Sequence, residues 1–349
     1  MKWHDGVRQP GVLAALTAAV LFGAGTPLAK QLLNTVSPWL LAGLLYLGSG
    51  AGLALYRLLT RAAAVNLPRN ELLWFIGAIT AGGIVAPVLL MIGLTAMPAS
   101  GASLLLNAEG VFTALLAWFA FKENFDRRIA LGMMVIVAGA AILSWPGEAR
   151  FTGLWPTLAI LGACFAWGID NNLTRKVSLT DATWIAAVKG LVAGAVNLSL
   201  AFALGATLPP LANLAAALLV GFFAYGVSLA LFVIGLRHLG TARTGAYFSI
   251  APFLGAVLAV IMGDTVTLPL ILAGLLMAIG IWLHLTEQHE HQHIHDELEH
   301  DHVHIHDEHH HHSHDFPIVT GVPHQHRHQH RPITHSHPHF PDAHHRHKH

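Results

Sequence analysis

Phosphate-binding loops, a second cysteine and charge are what this chain goes without. Only 11% of its 349 residues are Asp, Glu, Lys or Arg, against 54% apolar, too few charges for an ordinary soluble domain. The single cysteine, Cys164, falls inside an apolar segment. A disulfide framework and a Cys-based zinc site are thereby excluded, and Cys164 reads as a small buried hydrophobe. The lack of a nucleotide-binding motif argues against ATP-driven transport by this chain alone. No catalytic constellation marks an enzyme, and no nucleic-acid partner is expected.

What is there is hydrocarbon in membrane-sized lengths. Apolar runs of about 20 residues recur from end to end. They predict ten spans at 11–33, 38–58, 71–93, 98–121, 128–145, 154–174, 182–204, 211–235, 242–262 and 267–285. Breaks fall at turn-forming or charged clusters, such as Thr35-Val36-Ser37-Pro38 and Pro146-Gly147-Glu148. The first span is too long for a signal peptide and reads as a retained helix. Arg57, Arg61, Arg69, Lys122, Arg127, Arg128, Arg175, Lys176, Arg237 and Arg243 all fall in loops on one side. That bias puts both termini in the cytoplasm and the chain in the inner (plasma) membrane. Lys30, Trp39, Trp74 and Trp155 are expected to anchor span ends at the headgroups, and Pro27, Pro87 and Pro252 to kink their spans.

The stretch from Pro98 to Phe125 has a later counterpart. Gly93-Leu94, Gly110-Val-Phe-Thr-Ala and Lys122-Glu123 are echoed by Gly235-Leu236, Pro252-Phe-Leu-Gly-Ala and Gly263-Asp264. Gly11 onward aligns with Gly153 onward, and Phe22-Gly23-Ala24 with Trp167-Gly168-Ile169. Five spans per copy is an odd number, so the second copy enters the bilayer upside down. Inverted repeats are the recurrent plan of secondary transporters, with the substrate site at their interface. The predicted architecture is all-α and integral to the membrane: ten transmembrane helices as two inverted five-helix repeats, 11–145 and 153–285, followed by a tail, 286–349.

On Leu104 to Glu123, a Leu-rich run closed by a helix-terminal Glu, and its weaker copy Phe248 to Asp264, the chain resembles the EamA family of the drug/metabolite transporter superfamily. The resemblance covers roughly 11–285. It implies ten helices in two inverted repeats around a central cavity, and a carrier of amino acids, nucleotide sugars, drugs or other metabolites. It leaves room for a homodimer. Gly110 stands where the family often has Pro, and Asp264 where the first repeat has Glu.

Glu109 sits near the middle of its span, where a carboxylate costs about 2.5–3.5 kcal/mol on insertion scales, so it reads as functional. It can hold a coupling proton or cation, with Asn107 offering a donor and an acceptor nearby; the plain alternative is a helix-packing carboxyl. Asp170-Asn171-Asn172 is the most polar run in any span and cannot wholly face lipid. It either lines the cavity or frays at the membrane edge. Lys189 is a further charge at depth, preceding the small-residue face Gly190 to Gly194. It either pairs with Asp170 or snorkels.

The tail is chemically unlike the rest. It holds 24 of the 27 histidines: His289, His291, His293, His295, His300, His302, His304 and His306; His309, His310, His311, His312 and His314; His324, His326, His328 and His330; His335, His337 and His339; His344, His345, His347 and His349. Such a segment buries no core and is expected to be disordered. Imidazole tracts suit Ni, Co, Zn or Cu, so these residues are candidate ligands in many weak sites. The rival reading is a pH sensor. Ten acids against four fixed bases leave the tail near −6 with neutral imidazoles, and it turns positive around pH 6.

The leading expectation is an exporter of a divalent transition metal, Ni, Co or Zn, with the tail as cytoplasmic collector and no other cofactor. The alternatives are an exporter of a small metabolite, amino acid or drug with a metal-buffering or pH-sensing tail, and a membrane-anchored metal sensor without transport. The weakness of the first is a membrane interior without histidine at depth, where oxygen ligands suit these metals less well.

Overall fold

The computed structural model describes residues 10–120, 127–144, 154–177, 180–285, 290–294, 298–304, 324–330 and 334–338. The chain divides into two units, 1–287 and 288–349.

The first unit is helical. α1 (Pro10–Leu32) and α2 (Pro38–Leu59) are single helices, the second opened by Pro at its first position. The third span is composite. α3 (Leu72–Ala78) widens into a π-helical turn, π1 (Ile79–Val85), and resumes as α4 (Ala86–Thr95). The fourth is broken at Leu106–Asn107 into α5 (Ala99–Leu105) and α6 (Ala108–Phe119). There follow α7 (Arg127–Ser144), α8 (Trp155–Val177) and α9 (Ala182–Ala203). α10 (Leu211–Val220) again widens into a π-helical turn, π2 (Gly221–Val227), and continues as α11 (Ser228–Phe248). After a break at Ser249–Ile250 come α12 (Ala251–Ile261) and α13 (Leu268–Leu285).

Two expectations change. The eighth span was expected to end near 235 and the ninth to begin near 242, but the chain stays helical to Phe248. Arg237 and Arg243 mark a polarity boundary, and no proline between them stops the helix; Pro252 starts the next one instead. Pro252 likewise sits in a first turn, where its missing N–H costs nothing, whereas Pro87 follows closely on the π-helical turn within the helical stretch Leu72–Thr95.

Six described stretches are long and apolar enough to cross a bilayer: Gly11–Leu32, Pro38–Leu59, Leu72–Thr95, Ala99–Phe119, Ala182–Ala203 and Leu211–Gly235. Ala130–Leu143, Ala251–Ile261 and Leu268–Leu283 are shorter apolar helices. α8 joins neither group because Asp170, Asn171 and Asn172 lower its hydropathy. The outer surface is apolar too: Leu58, Leu73, Leu211 and Ile261 are each 74–80% exposed, a liability in water and a fit to lipid.

The packing repeats with the roles of the two halves exchanged. α1 lies on α11 and α8 on α4; α2 crosses α9, α5 meets α12, and α7 pairs with α13. α6 rests on α8 as α12 rests on α1. Glycines permit the closest approaches. A side chain on Gly50 would strike the Gly190–Leu191 backbone, and one on Gly190 would come within 2.6 Å of Gly50 Cα. The expected close face from Gly190 to Gly194 thus packs on α2, backbone against backbone.

In the second unit the described residues form four short strands, β1 (Glu290–Ile294), β2 (Leu298–His304), β3 (His324–His330) and β4 (Thr334–Pro338). β1 pairs with β4 and β2 with β3, both antiparallel. This differs from the expected disorder; histidine at every second residue has the period of a strand. Two-stranded ribbons are marginal in water, and these sequences bring few apolar residues to support them.

Candidate functional site

The helix break at Leu106–Asn107 would strand backbone groups in an apolar interior. Local donors meet them: Asn107 Nδ2 donates to Leu104 O at 3.0 Å, and the Cys164 thiol lies 3.6 Å from Leu105 O. The restart of the helix places Glu109 in the first turn of α6, where the helix dipole favours a carboxylate. Glu109 is partly buried, and its Oε1 accepts a hydrogen bond from Asn171 Nδ2 of α8 at 2.8 Å. The same amide reaches Thr113 Oγ1 at 3.2 Å, one turn beyond Glu109. Asn172 Nδ2 donates to Thr113 O at 3.0 Å and to Gly168 O at 2.9 Å. Gly168 allows this approach, since a side chain there would meet Phe112 and Thr113 backbone at 3.1 Å.

Asp170 faces the other way, into the junction of α8, α9 and π1. It is 4% exposed and forms an ion pair with Lys189, 2% exposed, while its Oδ1 accepts from Thr174 Oγ1 at 2.9 Å. Lys189 therefore does not snorkel. The π-turn makes room for this pair: a side chain on Gly82 would collide with the Asp170 carboxylate, and one on Gly83 would press on Ala193 at 2.8 Å. It also presents carbonyls sideways to side-chain donors, as such turns do near functional sites. Gly82 O accepts from Tyr46 Oη at 2.5 Å and Trp167 Nε1 at 3.1 Å, and Gly83 O accepts from Asn197 Nδ2 at 3.2 Å. Trp167 and Tyr225 flank Phe22 edge-on at 5.9 Å, and Phe248 lies 5.2 Å from it, so aromatic rings from both halves meet beside the polar layer.

Of the residues singled out in the sequence, Glu109 and Asn171 are joined, and Asp170 and Lys189 are joined. Asn172 lies on the same backbone turn. Asn107 stands apart: Nδ2 points towards Met277 Sδ at 3.6 Å, and Oδ1 is buried without a partner among the described residues. Lys30 does more than anchor a span end, because its ammonium donates to the last carbonyls of α4, Leu94 O and Thr95 O. Thr113, Thr174, Tyr46, Trp167 and Gly82 escaped the sequence reading. Thr113 was discoverable, being four residues from Glu109 on one helix face; the others depend on tertiary contacts.

Among the described residues no three His, Cys, Asp or Glu side chains converge as a metal site would require. His291, His293, His300, His302, His304, His324, His326, His328, His330, His335 and His337 lie on the short strands. His289, His295, His306, His309 to His312, His314, His339, His344, His345, His347 and His349 lie outside the described residues.

The EamA-like transporter family pattern matches residues 9–145 and again 154–286. An "uncharacterized transporter" of Methanothermobacter thermautotrophicus is 28% identical over 292 residues, covering 78% of this chain and 85% of that protein. A "probable amino-acid metabolite efflux pump" of Salmonella typhimurium is 31% identical over 174 residues, covering 49% of this chain and 54% of its own length. Its Escherichia coli K12 namesake is 28% identical over 171 residues, with the same coverage. A solved crystal structure superposes with a TM-score of 0.61 at 19% identity, over 77% of this chain and 94% of the other, a likeness of fold.

Proposed function

The chain belongs to the EamA-like transporter family, and on that premise we propose a secondary carrier that exports a small organic metabolite, with Glu109 as its coupling carboxylate. The reading takes 11–145 and 153–285 as opposed five-helix repeats, ten spans in all, with both termini and the 286–349 tail in the cytoplasm. The exchanged packing of the two halves supports it. The observation that carries it is the contrast between a buried carboxylate, Asp170, and a half-buried one, Glu109. Asp170 is neutralised by Lys189. Glu109 has an amide for a partner and, among the described residues, no ion pair, so it alone can exchange a proton for a cationic group on a substrate. Two relatives named for amino-acid metabolite efflux favour amino acids or their derivatives as cargo.

Export of Ni, Co or Zn becomes the second reading. Asp170 is committed to Thr174 and Lys189, so the core offers a divalent metal one free carboxylate and amide oxygens, a poor set for these ions. The 24 tail histidines favour it; on the first reading they buffer or sense metal beside the pathway.

The test compares cells with full-length, tail-less and Glu109→Gln protein, measuring amino-acid release and cellular metal together. Metabolite export predicts release that Glu109→Gln abolishes and tail removal leaves intact. Metal content that rises with Glu109→Gln, and partly with tail removal, would promote the metal reading. Wild-type release from Glu109→Gln sinks the coupling role, and no flux of either kind leaves a membrane-anchored sensor.

A further inference from the structure

At one end of the helical unit the fourth and ninth spans are tied by a side chain that crosses between the two halves; at the other end no such tie joins these two spans among the described residues. α12 ends in a Schellman turn, with Gly263 at φ +116, its N–H on Val260 O at 3.1 Å and the Asp264 N–H on Ala259 O at 3.0 Å. The turn aims the Asp264 carboxylate at α5, where Oδ2 accepts the Ser100 N–H at 2.8 Å. α5 needs that acceptor, because Pro98 before it offers no side-chain cap. The same connection is held at its other end by Lys30 on Leu94 O and Thr95 O. A cation thus sits at the C-terminus of α4 and an anion at the N-terminus of α5, each complementing a helix dipole.

Behind this clasp every residue from Ala99 to Leu105 is buried, and α5 packs on α12. Past the two helix breaks the arrangement reverses. α6 leans on α8, and Gly110, beside Glu109, has only open space where a side chain would be, as has Gly245 before the second break. Among the described residues, the fourth and ninth spans therefore touch at the Asp264 end and part at the Glu109 end. Within the closed seam Ser103 Oγ is buried without a hydrogen bond among the described residues, which makes the seal easier to open.

We propose that Asp264 forms the outer gate of the carrier, with Lys30 bracing the connection it grips: the tie from Asp264 to Ser100 holds the outer end closed while Glu109 is reached from inside, and it must release for export. Both are positioning residues that act on the half-helices, not on the cargo. The assignment of "outer" rests on the orientation adopted above; the gate itself does not, and its test needs no knowledge of the substrate.

The test uses full-length protein with Cys164→Ser and one reporter cysteine, labelled in intact cells and in inverted vesicles with a membrane-impermeant maleimide. Ser103→Cys, 1% exposed in the α5–α12 seam, reports gate opening; Ala186→Cys, 0% exposed in α9, reports general loosening. Losing a cap of this kind should shift the closed–open balance roughly tenfold. Asp264→Ala and, separately, Lys30→Met should each speed Ser103→Cys labelling from outside by about that factor and leave Ala186→Cys unchanged. An unchanged Ser103→Cys rate overturns the gate, as does a parallel rise at both reporters. Acceleration seen only from the cytoplasmic side keeps the gate and overturns the orientation instead.

Discussion

Replacing Lys189 by Met asks the sharpest question of the interior. Asp170 would keep Thr174 on one oxygen and lose, on the other, its only counter-ion among the described residues. Water cannot take the ammonium's place beside Gly82, where even a methyl group collides with the carboxylate. Stranding a buried charge by removing its partner costs about 3–5 kcal/mol. With an unfolding entropy of about 2.1 cal/mol/K per residue over a helical unit of this length, that is a fall in Tm of about 5–8 °C. The double variant Asp170→Asn/Lys189→Met removes both charges while the amide can still accept from Thr174. It should recover most of the loss, for a coupling energy of about 3 kcal/mol in the cycle. Thermal unfolding of the four proteins in one detergent, followed by size exclusion, measures this. A Lys189→Met protein within about 1 °C of the parent, or losses that simply add, would show that the pair is not the buried, water-excluded contact described here. A charge swap is a poorer test, since position 170 has no space for lysine.

Further outcomes follow from single contacts. Gly190→Val should prevent folding or insertion, seen as loss of monodisperse protein, because α2 and α9 meet there backbone to backbone. Thr113→Val should cut transport severalfold with little change in Tm, since it removes one of the two acceptors of the Asn171 amide, the other being Glu109. Burial pushes the Asp181 carboxyl up, but the Thr183 hydroxyl, the Trp184 amide and Arg57 together outweigh it and hold it below the ordinary carboxylate range. Its stabilising effect is therefore full above that range and fades as pH falls through its lowered pKa. Asp181→Ala should cost about 1 kcal/mol as a lost N-cap at neutral pH, and the gap to the parent should close below about pH 4; a gap that widens in acid refutes the assignment.

Much of the frame could be read from apolar length and glycine spacing, because lipid leaves the backbone few options. The polar run at 170–172 and the lone Glu109 stood out for the same reason: in such a composition each charge is an exception that needs a partner. Which partner was not legible. Asp170 and Asn171 are neighbours, yet one serves Lys189 and the other Glu109, since successive helical residues point about 100° apart. The π-turns were invisible as well. Ile79–Val85 and Gly221–Val227 hold glycines but no proline, as do many of the unbroken stretches, and their widening is a response to tertiary demand: an ion pair against Gly82 in one, a close approach of Ser49 to Gly226 in the other. The charges at Arg237 and Arg243 misled for the opposite reason, since polarity marks where a membrane ends and says nothing about where a helix does.

The two halves share a scaffold and divide the chemistry. Both have a π-turn in the third span, a break in the fourth, and a glycine of the other half's first span pressed against the restarted helix: Gly168 against Phe112–Thr113, and Gly23 against Ala251. Where the first half places Glu109 at its restart, the second has Ala251. Where the second half has Asp170, Asn171 and Asn172 from two residues after its glycine, the first has Gly25, Thr26 and Pro27. Asp170 is completed by Lys189 and Thr174 of its own half, whereas Glu109 is completed by Asn171 of the other, so that hydrogen bond spans the joint between the halves. A symmetric pair of such bonds would hold the joint equally in both directions. A single one ties Glu109 to α8 on one side of the molecule, while Asp264 holds α5 on the other; on the proposed function, that asymmetry would give a pseudo-symmetric carrier a preferred resting face.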